Sequence, residues 1–188
     1  MVALEGVRKA DLIAAGKRLL AQSSTPKTAG GVSAWDNSGI FYELGRARFK
    51  EGVPSAKTLL MLYAADLAFR LRWEIEPLLQ EGLTVVACPY VETALGVAAA
   101  VGIDAGWAKE LFRFATKPDA TFCLHEDDEP SYWKAKPAAG FVDFCCSALA
   151  AGSDEWNQSE VRRAVTKRLD KREKAGRMAA FKWKAGGK

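Results

Sequence analysis

Histidine is nearly missing from this chain: His125 stands alone among 188 residues. A zinc centre would have to draw on cysteines, yet the four present (Cys88, Cys123, Cys145, Cys146) include no C-x-x-C pair. No metal ligand is therefore assigned. Adjacent Cys145 and Cys146 are poorly placed to bridge each other, and all four thiols lie inside apolar runs. That usage reads as buried, reduced cysteine and not as a disulfide framework. Long apolar runs are lacking too. Each is broken by charge or proline within about a dozen residues, short of the roughly 20 needed to span a bilayer. The opening Met1-Val2-Ala3-Leu4-Glu5 has neither the basic start nor the apolar stretch of a secretion signal. No membrane span and a cytoplasmic location are expected.

What is present is an ordinary globular composition, 49% hydrophobic and 27% charged. The length suits one core, so residues 1–188 are expected to form a single domain. Its charge is uneven. Eleven Lys/Arg face three Asp/Glu between Glu160 and Lys188, leaving sixteen against twenty elsewhere. A mildly acidic body thus carries a basic C-terminal helix and tail at about 159–188.

Periodicity supplies the elements. Val2-Ala3-Leu4 reads as a buried strand, followed by a helix over Lys9–Gln22 and a loop with a weak strand near Val32–Trp35. A short helix is expected over Ile40–Lys50. Ser55 reads as the N-cap of a long helix reaching Gln80, kinked or broken near Pro77. Thr84–Cys88 and Ala120–Leu124 are continuous apolar strands of the kind buried on both faces of a parallel sheet. Helices are expected over Val91–Val101, Ala105–Thr116, Phe141–Ala151 and from Ser159. Buried strands alternating with helices predict an α/β fold, with a parallel sheet between helical layers. Sites on such sheets lie beyond the carboxyl ends of the strands. Here that means Glu5-Gly6, Cys88–Glu92 and His125–Glu129.

The series Leu59-Leu60-Met61-Leu62-Tyr63-Ala64-Ala65-Asp66, then Ile75-Glu76-Pro77, Gly82, Cys88-Pro89-Tyr90 and Pro118-Asp119-Ala120-Thr121 resembles the thymidylate kinases in order and spacing. The likeness covers about residues 55–125 and, more weakly, 1–22. It implies a three-layer α/β/α P-loop NTPase of the nucleoside monophosphate kinase type, with a small parallel sheet. It also implies a thymidine nucleotide ligand and a homodimer, for which the apolar helix Ala94–Val101 is a candidate. In that family the first strand ends in E-G-x-D-G-x-G-K-S/T, whose backbone cradles phosphate. This chain keeps Glu5 and Gly6 but continues Val7-Arg8-Lys9-Ala10-Asp11-Leu12-Ile13. Leucine stands at the lysine position and two glycines are lost, although such loops need the freedom of glycine.

The acceptor side departs as well. Tyr63 retains the family's aromatic, but Leu67 replaces an arginine, and Cys88-Pro89 replaces the Asp-Arg of D-R-Y. The segment where the family supplies lid arginines holds Glu126-Asp127-Asp128-Glu129, a run ordinarily solvated, although such acids suit a hard divalent cation. Losing several such groups removes much of the stabilisation on which phosphoryl transfer depends. The substrate-side candidates are Tyr63, Asp66, Tyr90 and Glu92. The degenerate phosphate loop offers Glu5, Gly6, Arg8 and Lys9, and no catalytic residue is assigned. The reading is a thymidylate kinase-like protein without dTMP kinase activity, acting as a nucleotide-sensing or scaffold module with no assigned cofactor. The alternative is a remodelled nucleotide or phosphoryl-transfer enzyme using ATP and Mg²⁺. In a third reading, the basic tail binds an acidic partner or nucleic acid.

Overall fold

A computed structural model describes residues 1–7, 9–47, 52–124, 140–150 and 158–180. Arg8, His125, the acidic run Glu126–Glu129 and the tail beyond Ala180 lie outside the described residues, as does the side chain of Lys9.

Five parallel strands form the sheet: β1 (Val2–Glu5), β2 (Ala29–Ala34), β3 (Thr84–Cys88), β4 (Ala120–Cys123) and the two-residue β5 (Ala179–Ala180). Their order is β2-β3-β1-β4-β5. β1 is central, with Val2 opposite Val86 on one side and Ala120 on the other. Its Ala3 and Leu4 are fully buried, as an apolar run covered on both faces should be.

One face is covered by α1 (Lys9–Ser23), whose Leu12, Ala15 and Leu19 pack with Leu4, Val86 and Cys88. The other carries α3 (Ala56–Arg70), α5 (Val91–Ala100), α7 (Phe141–Ala150) and α8 (Gln158–Lys174). Two short helices, α2 (Ile40–Arg46) and α6 (Ala105–Leu111), flank this layer. At its centre Tyr63, Trp35, Phe41, Phe141 and Phe144 form an aromatic cluster, with the Tyr63 and Phe141 rings 4.2 Å apart. The three-layer α/β/α arrangement expected from the sequence is present.

Boundaries moved for identifiable reasons. Ser55 does cap α3, its hydroxyl accepting from the Thr58 N–H at 3.1 Å. The helix does not run unbroken to Gln80. Leu71–Ile75 forms a π-helical turn before α4 (Glu76–Gln80), and the Glu76 N–H reaches the Leu71 carbonyl. Pro77 lacks an N–H and crowds the carbonyl four residues back, so the ladder widens upstream of it. Helix α6 stops at Leu111 instead of Thr116. β5 went unread because two alanines carry no alternation.

The basic helix α8 belongs to the core. Val161, Val165 and Leu169 are buried, and a Cβ added to Gly96 of α5 would lie 3.0 Å from Val165 Cγ1. Of the candidate dimer stretch Ala94–Val101, residues Ala94–Ala98 are buried against α8 and the core of their own chain. Gly96→Val should therefore cost roughly 1–3 kcal/mol by overpacking. The check is the urea midpoint, and an unchanged value would mean that α8 does not dock there.

All four cysteines are buried and unbridged. Burial pushes the Cys145 thiol far above its ordinary range and Cys146 up to about 11. Since the thiolate is the reactive form, a disulfide reagent should modify the native protein very slowly, and all four thiols should react on unfolding. Fast native reaction of two or more thiols would overturn this.

Candidate functional site

The carboxyl ends of β1 and β3 open at a point where their following helices leave to opposite faces. α1 goes to one face and α5 to the other. Such switch points are where open α/β sheets hold ligands. Glu5 ends β1 here and is buried. Its Oε2 accepts from the Tyr90 N–H at 3.1 Å, the Thr93 N–H at 3.0 Å and the Thr93 hydroxyl at 2.7 Å. Oε1 accepts from the Glu92 N–H at 2.9 Å. The unpaired N–H groups that open any helix attract anions, and at α5 this chain's own carboxylate satisfies them. Burial pushes the Glu5 carboxyl above its ordinary value, against the downward pull of the Thr93 hydroxyl and the Glu92 and Thr93 N–H groups.

Gly6 follows, its N–H donating to the Thr93 hydroxyl at 3.2 Å. A Cβ there would stand 3.1 Å from Leu12 Cδ2 and 3.3 Å from the Leu124 carbonyl oxygen, so the turn is closed on both sides. Leu12 itself is 1% exposed.

Asp66 and Arg70 form a second buried cluster, one helical turn apart on α3, with no exposed surface on either side chain. Asp66 accepts from the Asp36 N–H at 3.1 Å, the Ser38 N–H at 3.1 Å and the Ser38 hydroxyl at 2.7 Å. It thereby pins a loop in which Asp36 takes a left-handed φ of 63°. Arg70 Nη1 lies 3.8 Å from Asp66, and Nη2 donates to the Pro89 carbonyl at 3.0 Å. Nε and Nη1 make no hydrogen bond.

Tyr63 is fully buried; its hydroxyl donates to the Tyr90 carbonyl at 2.8 Å and no ring face is open. In this arrangement it positions Tyr90 from within the core. Tyr90 donates its own hydroxyl to the Thr116 carbonyl at 2.7 Å. Burial raises both phenols, and the nearby Arg70 charge lowers them less than burial lifts them. Tyr90 and Glu5 line a cavity of about 650 Å³, with Phe112 on its wall and Lys117, Arg172 and Arg177 as its cations. Glu92, on the first turn of α5, pairs with Arg168 at 3.4 Å and with Arg172.

The structure thus gathers Glu5, Gly6, Tyr90 and Glu92 at one strand end, with Tyr63 behind Tyr90 and Asp66 one layer deeper. Sequence reasoning missed Thr93, Arg70, Arg168 and Arg172. Arg70 had a readable signal, since it follows Asp66 at the four-residue spacing that joins charges on a helix. The partners from α8 had none. Three arginines of that basic helix are internally held, because Arg162 pairs with Asp143 as well. Arg163, Lys167, Lys171 and Lys174 face outward. Removing residues 160–188 would also strip Val161, Val165 and Leu169 from the core, so loss of polyanion binding on such truncation would not isolate the tail.

No metal-ligating cluster of three or more His, Cys, Asp or Glu occurs among the described residues, and none of their helices is long and apolar enough to cross a membrane.

A parallel sheet of order 2-3-1-4-5, helices on both faces and a strand-end site fit the α/β fold of P-loop kinases. Comparisons agree. The fold matches the crystal structure of thymidylate kinase from Ehrlichia chaffeensis at a TM-score of 0.64, covering 96% of this chain and 83% of that one at 13% identity. In sequence, 98 residues are 28% identical to a probable thymidylate kinase 2 of Saccharolobus solfataricus, covering 52% of this chain and 46% of that protein. A further 33% identity over 76 residues relates it to a probable thymidylate kinase of Pyrobaculum aerophilum, covering 40% of this chain and 38% of the relative. The chain thus spans less than half the length of these curated relatives, and no family model matches it. The chain is similar to thymidylate kinases, in fold along nearly its whole length and in sequence over about half.

Proposed function

We propose that this chain recognises a nucleotide without transferring a phosphoryl group and works as a nucleotide-sensing or scaffold module. The observation that carries this reading is Leu12. By the resemblance it occupies the position of the lysine that serves the phosphates, and its side chain packs in the core beside Leu4 and Val86. A buried aliphatic group offers a phosphate neither charge nor a hydrogen bond. Cys88-Pro89 likewise supplies neither the carboxylate nor the guanidinium of D-R-Y. The supporting frame persists, since Glu5 holds the start of α5, Asp66 holds its loop, and Tyr90 faces a cavity large enough for a nucleotide. The cations Lys117, Arg172 and Arg177 on that cavity favour the second reading, an enzyme that handles phosphate with remodelled groups.

Calorimetric titration separates the two. Micromolar binding of dTMP, no heat with MgATP and no turnover in a coupled assay are expected. Tight MgATP binding would overturn the first reading and establish the second as the working one.

A further inference from the structure

We infer a second binding site, for a small amphipathic organic anion, in a cavity of about 370 Å³ lined by α5, α6 and α8. Its floor is apolar, made by Leu95, Ala98 and Ala108, which are themselves buried. Its rim is cationic, with Lys109, Arg168, Lys171, Arg172 and Arg177, and no acidic side chain lines it. The terminal nitrogens of Arg168 and Arg172 share one carboxylate, Glu92.

Helix dipoles favour cations in a last turn, which accounts for the charge of Lys171 and Arg172. It does not account for an apolar pit beneath five cations. Together these suit a ligand with a ring-sized apolar body and a carboxylate or phosphate head, since arginine forks grip both heads. The volume lies at the small end of ligand pockets. Arg172 and Arg177 also line the strand-end cavity, whereas Glu5, Gly6, Tyr63 and Tyr90 do not line this one.

The test uses the whole chain and the fluorescent anion anilinonaphthalenesulfonate, with neutral phenylnaphthylamine as the control probe. One saturable anion site is expected, with little binding of the neutral probe. Reversing the exposed pair Lys109→Glu and Lys171→Glu should weaken binding by about tenfold or more. The same charge change at exposed Lys17→Glu and Lys27→Glu should leave it unchanged. Ala99→Trp, which fills the cavity from an exposed helix position without altering charge, should abolish it. Circular dichroism verifies folding of each variant. Displacement by phenyl phosphate or by benzoate supports the site and assigns the head group. Equal affinity in both charge-reversed proteins, equal binding of the neutral probe, or displacement by neither competitor would overturn the proposal.

Discussion

Asp66→Ala should destabilise the protein by roughly 3–5 kcal/mol, the range observed when one partner of a buried ion pair is removed. Arg70 has no exposed surface, and among the described residues its ion-pair partner is the Asp66 carboxylate, 3.8 Å from Nη1. The alanine variant would strand that guanidinium in the core. It would also orphan the Asp36 and Ser38 N–H groups, each costing about 1–3 kcal/mol if left buried, although such terms do not add simply. Removing both charges, as Asp66→Ala with Arg70→Met, should recover part of the loss because no buried charge remains. Urea unfolding at neutral pH measures both. A loss below about 1 kcal/mol for the single variant would show that Arg70 readily reaches water and that the cluster does not hold the loop.

Glu5→Ala is the second large effect, again roughly 3–5 kcal/mol, because two buried N–H groups and one partly buried one at the start of α5 lose the carboxylate that accepts from them. Glu5→Gln should cost about half as much, retaining one carbonyl oxygen while turning an amide donor toward donors. The pH dependence has a definite sign. Burial holds the folded carboxyl above its ordinary 4.5. A raised carboxyl stabilises the fold while protonated, so this share of stability is complete below 4.5 and is lost as pH rises through the folded pKa. The parent protein should show this decline and Glu5→Gln should not. Equal slopes in urea midpoints across the mildly acidic range would contradict the assignment. Since Glu5 also aims α5 and Tyr90, Glu5→Gln should weaken dTMP binding if the proposed function is right.

Neither effect could be ranked from the linear sequence. Glu5 and Gly6 were singled out through a phosphate-loop resemblance, which suggested an anion outside the chain. The fold shows that an anion is already inside it, because β1 and α5 meet at a switch point 85 or more residues apart in sequence. Tyr63 illustrates the converse. An aromatic on a helix with apolar residues on several faces reads more often as core than as a base platform, and the resemblance pointed to the latter. Only the neighbouring Phe112 and Phe141 decide that its ring lies within the core.

By itself the sequence determined the alternation of elements and hence the α/β class. Apolar runs such as Val2–Leu4 and Thr84–Cys88 have no low-energy home except between two helical layers. It also located Ser55 as a cap, because that feature depends on contacts within a single turn. Tertiary structure alone decided the strand order, the two-alanine β5, the pairing of Glu92 with Arg168 and Arg172, and the cavity rimmed by α8. Each joins segments whose separation leaves no periodic trace. Charge on α8 was legible as charge; which arginines turn inward was fixed only when Val165 met Gly96, because that close approach sets the rotation of the helix.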